Sequence, residues 1–234
     1  MLDVLTYSDT HILIYSCELM HIIAVLNQKG GSGKTTIATN LARALQKRNR
    51  RVAIVDADPQ GTSSEWAARQ DGTPPVFASK EPTIHKDVPA LEGSFDMVVI
   101  DGAPRLEAMA TSAIKAAELV LIPVQPSAAD IWAAEDIVDL IRVRQEVTGG
   151  LPRAAFVVSR QVVGSNLADT VQAALEAFDV PVLRARTSQR VAYAEALGAG
   201  LSVLDINAGK AEDEIQRLAE EALEQLNGVT LQAQ

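Results

Sequence analysis

The sequence predicts an α/β protein built on a mostly parallel, doubly wound sheet, and three observations predict it. Short β-branched runs alternate with longer stretches of helical periodicity, the pattern of parallel strands joined by crossover helices. Runs such as VLIPV (120–124) and FVV (156–158) are apolar at nearly every position, as strands covered on both faces are. A glycine-rich loop follows the first run and opens directly on a helical stripe, as in a parallel crossover unit.

Taken in order, the chain begins with twenty residues that hold no lysine or arginine, with Asp9 and Glu18 flanking an apolar run. That run is too short to span a bilayer and lacks the basic start of a signal peptide. Met20 is followed at once by HIIAVLNQKGG. Residues 1–19 therefore read as a dispensable extension, an upstream start or cloned leader, with an extra edge strand from HILIYS (11–16) as the alternative.

Strands are expected at Ile22–Leu26, Val52–Asp56, Met97–Asp101, Leu119–Val124 and Ala154–Ser159, and more weakly at Val180–Leu183. Helices are marked by the stripes Ile37, Leu41, Leu45; Ile137, Leu140, Ile141; and Leu167, Val171, Leu175, each at helical spacing. The last helix, roughly Glu212–Leu226, reads as acidic on its outside. The stretch from Gly72 to Gly93 is the most irregular and carries one short strand near Val76–Ala78. No internal repeat or long linker interrupts residues 20–234, which read as a single domain.

Composition narrows the function. The chain has 234 residues, 47% of them hydrophobic, and a formal charge of −9, which does not suggest a general nucleic-acid binder. Any DNA contact must be local. One cysteine, Cys17, can form neither a disulfide framework nor a cysteine-ligated cluster within one chain, and fits a reducing cytoplasm. Residues 211–234 carry Glu212, Asp213, Glu214, Glu220, Glu221 and Glu224 against Arg217 alone, so an anionic bilayer would repel that end and no membrane partner is expected.

Residues 28–36 read QKGGSGKTT. Gly33, Lys34 and Thr35 fit the end of the phosphate-loop pattern G-x-x-x-x-G-K-[ST], in which backbone amides cradle phosphates, the lysine reaches the β/γ-phosphates and the hydroxyl holds Mg²⁺. Gly30, Gly31, Ser32 and Thr36 complete the loop and the helix entry. The first glycine of the strict pattern is replaced by Gln28, and a second lysine, Lys29, stands before the glycine pair. Two further strands end in acids. VAIVDADPQ places Asp56 at one tip with Asp58 two residues on, and MVVIDGAP places Asp101 at another, where an open parallel sheet collects its ligands. Asp101 suits the Walker B role beside Mg²⁺, Asp58 the orientation of an attacking water, and Asp56 a brace for the magnesium shell or the loop.

KGGSGKTT, VDADPQGTSSEW and VVIDGAP together resemble the deviant-Walker ATPases of the ParA/MinD superfamily, most of all the short ParA-type plasmid-partition members. The likeness runs from Met20 onward through FVVSR (156–160) and TSQRVAYAEALGAGLSVLD (187–205). It implies a P-loop NTPase fold that binds ATP with Mg²⁺, hydrolyses it, and forms a homodimer in the ATP state. Lys29 is implied to be the signature lysine, reaching the partner's nucleotide. A lysine supplied from a second subunit makes hydrolysis conditional on dimerisation. Many members read adenine with an asparagine where this chain has Ser159-Arg160.

The leading reading is a partition ATPase that segregates or positions DNA, binds nonspecific DNA and the nucleoid when ATP-bound, and is stimulated by a ParB-type centromere-binding or cargo-adaptor protein. Arg184, Arg186 and Arg190 lie within seven residues and are the candidate DNA contacts. The alternatives are the same cycle applied to a protein cargo such as a microcompartment or receptor cluster, a MinD-like division regulator, and a non-catalytic nucleotide sensor. Iron–sulfur reductases of similar fold are excluded by the cysteine count, and a metabolic ligase does not explain Lys29.

Overall fold

Strands apolar on both sides need a cover above and below, and here one sheet provides the surface and helices the cover. The computed structural model describes residues 19–164 and 167–228. In chain order the elements are β1 (His21–Val25), α1 (Lys34–Lys47), β2 (Val52–Asp56), α2 (Thr62–Ala67), β3 (Val76–Ala78), α3 (Ile84–Asp87), a 3-10 turn (Val88–Leu91), β4 (Met97–Asp101), α4 (Glu107–Ala116), β5 (Leu119–Val124), α5 (Ala128–Thr148), β6 (Arg153–Val158), α6 (Leu167–Glu176), α7 (Val191–Gly198) and α8 (Lys210–Leu226). All strand pairs are parallel, in the order β3-β2-β4-β1-β5-β6.

Alternate residues of each strand feed two separate cores. Ile23, Val25, Ile54, Val99, Leu121 and Val157 pack with α1, α7 and α8, while Ala24, Val55, Ile100, Ile122 and Phe156 pack with α4, α5 and α6. Burial on both faces is why the strands show no polar alternation. Of the stripes, Ile37, Leu41, Leu45, Ile137, Ile141, Val171 and Leu175 are buried, and Leu140 is half-buried against the same core as Ile137 and Ile141. The side chain of Leu167 and the segment HILIYS lie outside the described residues.

Three expectations need correction. β1 and β6 each begin and end one residue earlier than read from the sequence. Val180–Leu183 forms no strand; Val182 makes a single parallel bridge to Phe156, and Pro181 has no N–H with which to extend it. The last helix is not acidic only on its outside, because Glu214 and Glu221 turn inward and accept backbone N–H bonds from Ser188, Arg184 and Ala185.

Candidate nucleotide site

The sheet register brings the site together. Val25 pairs with Asp101, and Asp56 pairs with Asp101, so β1, β4 and β2 end level. The loop after β1 and the acids at the tips of β2 and β4 therefore share one edge of the sheet, beside the point where strand order reverses around β1.

The loop's backbone is set by its glycines. Gly31 and Gly33 have φ of 78° and 92°, conformations that only glycine takes without strain. Gly33 is the N-cap of α1 and offers no side-chain cap, so the first amides of that helix are open to an anion. Lys34 is 6% exposed, and its Nζ donates to the Lys29 carbonyl at 2.9 Å. Burial holds the Lys34 ammonium below its ordinary pKa, while Asp101 and Asp58 pull it up. A partly desolvated cation beside open amides is built to meet phosphate.

Lys29 is placed differently. Its backbone N–H donates to Asn27 Oδ1 at 2.8 Å, and its ammonium pairs with the buried Asp130 carboxylate at the start of α5. Ser127, the N-cap of α5, also bonds that carboxylate.

The acids divide their roles. Asp56 accepts from the Ser64 amide and hydroxyl at 2.9 and 2.7 Å and from the Asp58 amide at 3.2 Å, so it braces the loop into α2. Asp101 is fully buried and accepts from the Ser63 hydroxyl at 2.7 Å. Burial pushes Asp101 up to about 7, although Ser63, the nearby Thr35 hydroxyl and Lys34 pull it down. Its Oδ1 has no hydrogen-bond partner among the described residues. A buried, unpartnered carboxylate oxygen beside a threonine hydroxyl fits a small hard cation. The described residues contain no group of three or more His, Cys, Asp or Glu suited to a metal, so such a cation would draw the rest of its shell from phosphate and water.

A cavity of about 330 Å³ opens on the loop: Gly30, Gly31, Gly33, Lys34, Thr35, Thr36 and Asp58 form one wall, residues of 187–197 the other, and Arg160 lines it too. Asp58 has one carboxylate oxygen turned to the Gln60 amide at 3.0 Å. The arginines do not form one open patch. Arg190 is held by Glu214 through Nε and NH2 at 3.0 and 2.7 Å, Arg186 reaches Gln172, and Arg184 keeps a 72% exposed side chain, its Nε 4.0 Å from Glu221. Sequence reasoning missed Ser63, Ser64 and Asp130; the serines lie inside the VDADPQGTSSEW motif, while nothing local to Asp130 points to Lys29.

Residues 23–203 match the CobQ/CobB/MinD/ParA nucleotide binding domain family. Maintenance of carboxysome distribution protein A of Halothiobacillus neapolitanus is 33% identical over 208 residues, covering 86% of this chain and 95% of that protein. The chromosome-partitioning ATPase Soj of Thermus thermophilus is 32% identical over 218 residues, covering 77% and 86%. The septum site-determining protein MinD of Pyrococcus horikoshii, solved with Mg-ADP, superposes with a TM-score of 0.70 at 22% identity over 92% of this chain and all of that one.

Proposed function

The chain belongs to the CobQ/CobB/MinD/ParA nucleotide-binding family and is an ATPase acting on ATP with Mg²⁺, and from that premise we propose that it is a dimerising switch that positions cargo along DNA. The observation that carries the reading is the second lysine. Lys34 sits inside the phosphate cradle, whereas Lys29 stands at its rim on a carboxylate of its own chain. An ion pair that a second subunit can exchange for phosphate ties turnover to assembly.

In this reading the amides of 30–35 and the Lys34 ammonium hold the phosphates, and Thr35 with Asp101 holds Mg²⁺, which neutralises charge on the phosphate oxygens when bound. Asp58 orients the attacking water. Lys29 leaves Asp130 to reach the partner's nucleotide. Arg184 leads the contact with DNA, since its charge faces solvent, with Arg186 beside it.

The cargo in this proposal is plasmid or chromosomal DNA, brought by a ParB-type adaptor that stimulates hydrolysis and release from the nucleoid. A second reading, the same cycle carrying a protein assembly, is favoured by the likeness to the carboxysome distribution protein. No described helix is long and apolar enough to cross a membrane, and the acids of α8 do not favour the MinD-like regulator, the alternative that would use a bilayer surface.

Binding to an arbitrary duplex, measured with ATP, with ADP and without nucleotide, tests the switch. Salt-sensitive binding confined to ATP is expected. Equal binding in all three states, or none with ATP at low salt, would overturn the DNA part of the proposal. Affinity capture of the adaptor then separates the cargoes: a protein that binds a specific DNA site supports partition, and one anchored to a protein shell supports the second reading.

A further inference from the structure

A loop that binds phosphate through its amides must keep its carbonyls turned away, because a rotated peptide would present oxygen to the anion. Glycine cannot enforce this itself; the freedom that lets Gly31 and Gly33 adopt positive φ also lets their peptides turn. The constraint must come from outside the loop.

Three side chains supply it, all remote in sequence. Gln125, just after β5, donates through Nε2 to the Gly31 carbonyl at 2.7 Å. Arg160, just after β6, donates to the same carbonyl at 3.1 Å. Ser159, fully buried, donates its hydroxyl to the Ser32 carbonyl at 2.7 Å. Arg160 itself sits at φ 53°, which costs about 1 kcal/mol or more in a residue with a side chain. That conformation aims the guanidinium at Gly31, and the Arg160 amide is fixed by the Thr187 hydroxyl at 3.3 Å.

We propose that Gln125, Ser159 and Arg160 are positioning residues that clamp the Gly31 and Ser32 carbonyls outward and so hold the phosphate cradle open before nucleotide arrives. Lys34 contributes differently. Its bond to the Lys29 carbonyl is released when the ammonium turns to phosphate, whereas the three outer donors stay in place. Ser159 and Arg160 thus shape the phosphate end of the site, and the inference rests on reading residues 29–36 as the phosphate loop.

The test uses the full chain and three variants: Ser159→Ala, Gln125→Met and Arg160→Gly. Affinity for a fluorescent ADP, its displacement by pyrophosphate, and the melting temperature are measured for each. Ser159→Ala should weaken ADP about tenfold, the effect of one unsatisfied buried carbonyl. Gln125→Met keeps the chain length, adds no charge and removes the donor, so it should weaken binding as well. Arg160→Gly relieves the strained φ, so it should melt no lower than the unmodified chain while still losing affinity. That opposite movement is one a merely structural residue would not produce.

All three losses should be equal for ADP and for pyrophosphate. ADP affinity within twofold of the unmodified chain for Ser159→Ala and Gln125→Met would overturn the clamp. A loss for Arg160→Gly confined to ADP would do the same, since it would make Arg160 a reader of base or ribose. An unmodified chain that binds neither ligand would sink the phosphate-loop reading itself, and the clamp with it.

Discussion

The phosphate loop and residues 187–190 opposite it border the same cavity and manage positive charge in opposite ways. On the loop side, Lys34 rests on a backbone carbonyl and faces open amides, so its charge remains available to an anion. Across the cavity, Arg190 is bound through two nitrogens to Glu214, which also accepts from Ser188 and from the Tyr193 hydroxyl. The first cation is poised for a ligand; the second is consumed in fastening 187–193 to α8. A count of basic residues cannot separate the two, because what differs is the partner and not the charge.

The largest effect should come from the loop. Lys34→Ala is expected to reduce ATP affinity by at least about 100-fold by calorimetry, as loss of charge-assisted bonds to phosphate implies, with little change in melting temperature. Arg190→Ala should show the reverse, leaving nucleotide affinity within a few-fold. If the two variants changed affinity alike, the contrast between the walls would be gone.

Asp58→Ala should keep ATP binding and lose turnover by roughly 100-fold or more, the scale of a displaced water-positioning group. In sedimentation with ATP this variant should run as a dimer, and adding Lys29→Ala should weaken the dimer more than it weakens nucleotide binding. Dimers that ignore Lys29 would place that lysine with the structural cations.

Glu214 sharpens the comparison through stability. Burial raises its pKa, but bonds from Arg190, Ser188 and Tyr193 outweigh burial and hold it below its ordinary 4.5. A carboxylate depressed on folding stabilises the protein above pH 4.5 and loses that contribution as pH falls through the folded value. Glu214→Ala should therefore cost about 2–3 kcal/mol at pH 7 in urea unfolding and progressively less as pH falls below 4.5. A pH-independent cost would mean that packing, not charge, fastens this wall.

The smallest effect is expected at Arg184. Arg184→Ala should weaken DNA binding in ATP a few-fold, uniformly across sequences, and lower the salt slope by about one. Arg190→Ala should change the slope less, since its charge is already paired. Equal slopes for both would restore the three arginines to one patch.

The amino-acid sequence by itself determined the sheet, the loop and the acids. Strands buried on both faces must be apolar throughout, and a phosphate cradle is made by the backbone of consecutive residues, so Gly31, Gly33, Lys34 and Thr35 declare it locally. Asp56 and Asp101 were legible because they close strands that a parallel sheet must bring to one edge, and Asp58 because it follows one of them by two residues. Tertiary structure alone decided which charges remain open. Asp130 lies 101 residues from the lysine it holds, Ser159 lies 127 from the carbonyl it fixes, and Glu214 lies 24 from Arg190. Such contacts obey no local periodicity; they follow from how β5 pairs with β1, β6 with β5, and α8 packs on α1, β5 and β6, and that packing sets each side chain's partner and its burial.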